Sequence, residues 1–186
     1  MKEMQATPEL YQVKLGTKAH SFQLLGADDK EHILENFIGK KALVIVFMCN
    51  HCPYVLAYVN RINELAAKYL SKKVQFLGIN ANDPVKYPQD SFENMKRFVK
   101  EKNIQFPYLY DETQEVARAY HGLLTPHVMV FDEERKLVYN GGIDDNWEHL
   151  ENVTKHYLDN ALHSLTEAKK IAEPLTPCVG CSIKWK

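Results

Sequence analysis

VIVFMCNHCPYVLAY, residues 44–58, carries a β-branched apolar run straight into two cysteines, with Pro53 directly after the second. The run opens as ALVIVF, residues 42–47, apolar throughout and expected as a central strand covered on both faces. Beyond the cysteines, Val55, Val59, Ile62, Leu65, Ala66 and Tyr69 recur at three- and four-residue steps and predict an amphipathic helix. Cys49 and Cys52 therefore fall at a strand-to-helix junction. In open α/β sheets, the crevice beyond the strand C-termini is where ligands bind.

The spacing carries its own chemistry. Residues three apart on a helix are neighbours, close enough for a disulfide. With the helix starting at the first cysteine, Cys49 lies at the positive end of the dipole. A thiolate there is stabilised below its free value of about 8.5. Cys49 is then expected to attack and Cys52, one turn in, to resolve the mixed disulfide. Pro53 loses nothing in a first turn, where its missing amide proton would be unpaired anyway. His51 is a candidate tuner, because its charged form favours a nearby thiolate. The plainer alternative is two inert buried thiols; the position of the pair at this junction weighs against it.

Outward from that stretch, strands and helices alternate. SFQLLGADDKEHIL reads as a short hairpin around a Gly-Asp-Asp turn. VQFLGIN, residues 74–80, is the next strand, and the following ANDPVKYPQD, with two prolines, continues neither element. Ser91 is placed to cap a helix over FENMKRFVKEKN, and Asp111 with Gln114 forms a box-like start for a short helix ending near Tyr120. HVMVF and KLVYN are two strands joined by a charged turn. A last helix is expected to carry Leu150, Val153, Tyr157, Ala161 and Leu165 on one stripe. Strand-helix-strand order implies a parallel portion of sheet, and the closing hairpin adds antiparallel strands. The division is an N-terminal extension over 1–11, a domain over 12–168 and an extended C-terminal tail over 169–186.

Composition narrows the function. The chain has 186 residues, enough for one domain with a real core. A net charge of -1 without a basic block disfavours nucleic acid and anionic membranes as partners. No apolar run approaches the ~20 residues of a membrane span. MKEMQATPELYQV lacks the apolar segment of a secretory signal, so a cytoplasmic location is expected. In a reducing compartment, paired cysteines are more often catalytic or metal-binding than structural.

In the order and character of these features, residues 12–165 resemble the thioredoxin superfamily, and most closely its redoxin branch of peroxiredoxins and thioredoxin-like reductases. The resemblance rests on the hairpin AHSFQLLGADDKEHIL, the strand KKALVIVF, the CNHC helix start and FPYLYDETQEVARAYHGLLTPHVMVFDEERKLVYNGGIDD. It implies a three-layer α/β fold with a central mixed sheet flanked by helices, and thiol-disulfide oxidoreductase activity. The substrate is then a protein or small-molecule disulfide, with a thiol protein as electron donor or acceptor, and no organic cofactor or metal. It further implies a cis peptide at Pro126, with the Thr125 backbone facing substrate. Two departures stand out: Met48 precedes Cys49 where many thioredoxins have tryptophan, and LVIVF lacks their buried acid. His51, His127, Asp144 and Asp145 are the candidates for a replacement proton acceptor.

Three other readings stay open. A peroxiredoxin needs Pro-x-x-x-Thr-x-x-Cys, but Ala42 and Val46 hold the proline and threonine positions. A four-sulfur zinc site would require the second pair, Cys178 and Cys181, to fold back across 125 intervening residues. A protein that keeps the fold as a non-catalytic binding module is the third. The tail pair also suggests a relay, in which Cys178 or Cys181 exchanges disulfides with the first pair. The contrary reading is an idle tail held down by Ile183 and Trp185.

Overall fold

A computed structural model describes residues 4–186. Its main sheet has seven strands in the order β3-β2-β6-β5-β4-β8-β9. These are β2 (Gln23–Gly26), β3 (Glu31–Ile33), β4 (Ala42–Phe47), β5 (Val74–Asn80), β6 (Tyr108–Tyr110), β8 (His127–Phe131) and β9 (Leu137–Gly141). β4, β5 and β6 run parallel; every other neighbouring pair is antiparallel. The sheet is therefore mixed, as the order of elements predicts.

β4 is central because every one of its side chains is apolar and none is exposed. Its pleat splits them between two cores. Ala42, Val44 and Val46 face a layer built with α1 (Pro53–Leu70), α2 (Phe92–Glu101) and α4 (Tyr157–Thr166). Leu43, Ile45 and Phe47 face the other layer, which holds α3 (Glu115–Ala119), Ile183 and Trp185. This gives helix, sheet and helix in three layers. The helix after the cysteines buries Val55, Val59, Ile62, Ala66 and Tyr69, the stripe read from the sequence. Ser91 caps α2 by accepting the Asn94 amide at 3.4 Å.

Two elements differ from the sequence reading. The last helix begins only at Tyr157; Leu150–Asn152 is a separate 3-10 turn, and Leu150 is exposed. Asp145 explains the break, since its carboxylate accepts the amides of Thr154 and Lys155 and the Thr154 hydroxyl. These bonds hold the chain in a loop where apolar periodicity suggests helix. The tail also does more than lie on the surface. Its strand β10 (Cys178–Ser182) forms the middle of a second, antiparallel sheet between β1 (Met4–Ala6) and β7 (Leu124–Thr125).

Candidate active site

Register brings the site together. Phe47 at the end of β4 pairs with His127 at the start of antiparallel β8. The residues just past β4 therefore meet those just before β8. Cys49 Sγ lies 3.5 Å from Thr125 Oγ1, and Cys52 Sγ lies 3.0 Å from the Thr125 carbonyl oxygen. The Thr125-Pro126 peptide is cis, as the resemblance implies.

The helix starts later than the spacing alone suggests. α1 begins at Pro53 with Cys52 as its N-cap, so Cys49 lies in the preceding turn. The positive end of the dipole thus falls on Cys52. The charge follows: Cys52 is lowered to about 5, chiefly by the hydrogen bond from the Cys49 thiol, then by Cys181, with help from the Val55 amide and Thr125 against the cost of burial. The amide of Val55 assists without closing a regular capping bond. Cys49 is raised well above its ordinary value by the same bond to Cys52, by burial and by the Asp90 charge. Cys52 is thus the more easily ionised of the two, while its thiol form can donate to the Thr125 carbonyl oxygen.

The lowering of Cys52 has a measurable consequence. A folded-state pKa below the unfolded value near 8.5 stabilises the fold fully above 8.5, and that contribution is lost as pH falls through about 5. The reduced protein is therefore expected to gain stability over its Cys52→Ser variant as pH rises from about 5 to about 8.5. Urea unfolding under reductant across that range measures it; a flat difference would place the thiolate elsewhere.

The carboxylate absent from β4 arrives from another loop. Asp90 is fully buried and takes three donors at 2.7 Å: the Asn50 amide, the Asn82 side-chain amide and His51 Nδ1. It thereby pins the turn between the cysteines. His51 also stacks on Tyr87 with ring centroids 5.3 Å apart. Its pKa is raised, chiefly by the bond to Asp90, so a charged His51 is balanced by Asp90 before it reaches Cys49. Cys49, His51 and Asp90 present ligand-type atoms within 4.8 Å of one another. A cation there would have to displace donors that Asp90 already accepts.

The other acceptor candidates are engaged elsewhere. Asp144 pairs with Arg61 at 2.7 Å and accepts the Tyr58 hydroxyl, and Asp145 closes the loop before α4. His127 is fully buried rather than a surface residue. Its Nδ1 accepts the Leu123 amide, which leaves Nε2–H to donate to Asn140 at 2.7 Å. Burial pushes it down to about 4, so it is neutral. Asp90 was missed because YPQDSF has neither periodicity nor a motif; only the buried register of its loop gives it a role.

The tail cysteines part company. On a strand, residues three apart point to opposite faces and their Cα atoms are roughly 10 Å apart, beyond disulfide reach. Cys178 packs with Ala6 and Leu124, beside the Tyr11 hydroxyl at 3.4 Å. Cys181 joins the other core, with its Sγ 2.9 Å from Cys52 Sγ. The tail therefore supplies one thiol to the site, not a second dithiol.

Comparison with known proteins gives the family and the fold. The sequence profile of the Redoxin family matches residues 14–162. The structure is similar to an uncharacterized conserved protein from Geobacillus kaustophilus, with 41% identity and a TM-score of 0.91 over 100% of this chain and 97% of the other. A hypothetical protein from Sinorhizobium meliloti shows 33% identity and a TM-score of 0.89 over 94% and 96% of the two chains. In sequence, the chain is 24% identical to the thiol-disulfide oxidoreductase ResA of Bacillus thuringiensis subsp. konkukian over 145 residues, covering 77% of this chain and 78% of that protein.

Proposed function

The chain belongs to the Redoxin family, and from that premise and the site geometry we propose that it is a thiol-disulfide oxidoreductase exchanging through Cys49 and Cys52. The single observation that carries this is the convergence of Cys49 and Cys52 on Thr125, at the start of α1 and beside the cis Thr125-Pro126 peptide. Cys49 attacks a substrate disulfide and gives up its proton as the new bond forms. A sulfur–sulfur bond forms at Cys49, and the leaving group departs as a thiolate. The Cys49 proton ends on that departing thiolate. Cys52 next attacks Cys49, closing the intramolecular bridge and freeing the second half of the substrate as a thiol. Cys52 is thus the resolving thiol, and its lowered value readies it as a thiolate for that step in a site with no acid on β4.

The substrate class in this reading is a disulfide or dithiol of another protein, with a small disulfide as a workable surrogate. Thr125, expected to offer its backbone to substrate, is buried and paired with Cys181 of β10, so the tail strand already occupies that position. The cytoplasmic location expected from composition is part of the proposal; recovery of the chain in a membrane or secreted fraction would overturn it.

Equilibration in glutathione redox buffers is the direct test. Two thiols per chain are expected to disappear in one two-electron step, at a potential between about -270 and -120 mV. A chain whose thiols fail to respond cooperatively across that window is not an exchanger.

A further inference from the structure

Cys52 touches two sulfurs, and exchange with substrate needs only one of them. The second, Cys181, is held in place by the backbone. Its Cα stands opposite Thr125 in the β10–β7 ladder, and its carbonyl accepts the Thr125 hydroxyl at 3.4 Å. The preceding Gly180 allows that approach, since a Cβ there would lie 2.4 Å from the Thr125 carbonyl oxygen. Gly141 and Gly142 likewise open a track for the tail: a Cβ on either would lie 2.6 Å or less from backbone or side-chain oxygen of Thr176 or Pro177. Past the strand, the Lys184 amide donates to Asn82, and the Lys184 carbonyl accepts from Asp83 and Gln114. Asn82, Asp83 and Gln114 are all buried. The strand that carries Cys181 is therefore part of the core, and it closes over the pair: Cys49 is 1% exposed and Cys52 0%.

We propose that Cys181 is a third exchanging thiol, attacking Cys52 within the Cys49–Cys52 bridge so that the disulfide moves to Cys52–Cys181 and Cys49 is released. The step rests on the exchange reading above and goes beyond it by giving the C-terminal strand a redox role. One sulfur–sulfur bond forms, between Cys181 and Cys52, as the bond between Cys52 and Cys49 breaks. The proton that Cys181 gives up is taken by the departing Cys49 thiolate. No electrons enter or leave, so the step needs no reagent beyond the disulfide that oxidised the pair.

The electrostatics run in the same direction. Cys181 is raised to about 12 in the reduced protein, first by burial and then by its bond to Cys52 and the charge there, while Lys184 acts to lower it. Once Cys52 is bridged to Cys49, it carries neither that bond nor that charge. Those two effects vanish together, leaving burial opposed by Lys184. Cys181 therefore ionises more easily once the bridge has formed than before it. The product fastens the C-terminal strand covalently across the site and leaves Cys49 reduced beneath it.

Peptide mapping after oxidation of the full chain with oxidised glutathione, quenched in acid and alkylated, decides the matter. In Cys49→Ser, three thiols remain, and two are expected to vanish into a Cys52–Cys181 bridge, leaving Cys178 as the alkylated one. The wild type is expected to yield both Cys49–Cys52 and Cys52–Cys181 peptides. If Cys49→Ser instead gives Cys52 as a glutathione adduct with Cys181 alkylated, the third thiol does not exchange and the proposal falls. Cys181→Ser separates this from the underlying reading: the Cys49–Cys52 bridge must still form there, and its absence would sink the exchanger itself. Gly180→Ala supplies a geometric control that keeps every sulfur. Its Cβ forces the strand from Thr125, so the Cys52–Cys181 yield should collapse while the Cys49–Cys52 bridge persists; an undiminished yield would overturn the strand-held geometry.

Discussion

Serine at Cys52 is expected to abolish turnover of a disulfide substrate, by roughly a thousandfold or more, equivalent to about 4 kcal/mol of barrier. The size of the loss follows from the resolving step: Cys52 is readied as a thiolate by its lowered value and closes the intramolecular bridge. A serine hydroxyl does neither at neutral pH, because it stays protonated and forms no bridge to sulfur. The first step survives: the hydrogen bond to Cys52 is the largest influence raising Cys49, and its loss lets Cys49 ionise more easily. A mixed disulfide at Cys49 should therefore form once and accumulate without resolving. Mass spectrometry of the reaction detects that adduct, and an insulin-reduction assay measures turnover. Turnover within about tenfold of wild type would mean that another group resolves Cys49, and the Cys52 assignment would be wrong.

This outcome separates what the residues alone could say from what needed three dimensions. The run 42–47, the stripe after the cysteines and Thr125-Pro126 are local patterns, and local patterns fix the strand, the helix and the pair at their junction. The location of charge within the pair is not local. It depends on where α1 starts, and Pro53 at the first helical position moves that start beyond Cys52. A spacing of three fits a helix that includes Cys49 equally well, so spacing alone does not settle the start. Asp90 and Cys181 reach the site from loops and strands far away in sequence, 38 and 129 positions from Cys52. The second cysteine pair shows the same limit in reverse. Its spacing is identical to the first, but on a strand that spacing divides the two sulfurs between opposite faces.

Asp90→Asn is expected to cost about 3 kcal/mol of stability, the scale of breaking a buried, hydrogen-bonded charge pair. The replacement has nearly the shape of the aspartate but one acceptor oxygen instead of two. Turned to accept the Asn50 amide, its own amide group faces the Asn82 side-chain amide, donor against donor, and one buried polar group is left unsatisfied. His51 loses the partner that raises it. A histidine raised in the folded state contributes stability that is fully present below its unfolded value of about 6.5 and is lost as pH rises through the folded value. The deficit of Asp90→Asn should therefore be larger near pH 5.5 than near pH 8.5, the opposite trend from that of Cys52→Ser. Reactivity should move the other way from stability. The Asp90 charge is among the causes raising Cys49, so its removal should bring that thiol down and speed its alkylation by iodoacetamide. Urea unfolding at the two pH values and alkylation rates resolved by peptide mapping test both halves. If Asp90→Asn is destabilised equally at both pH values and Cys49 reacts no faster, the carboxylate is only a packing group for the turn, and the charge on Cys52 is set by α1 and the neighbouring thiols alone.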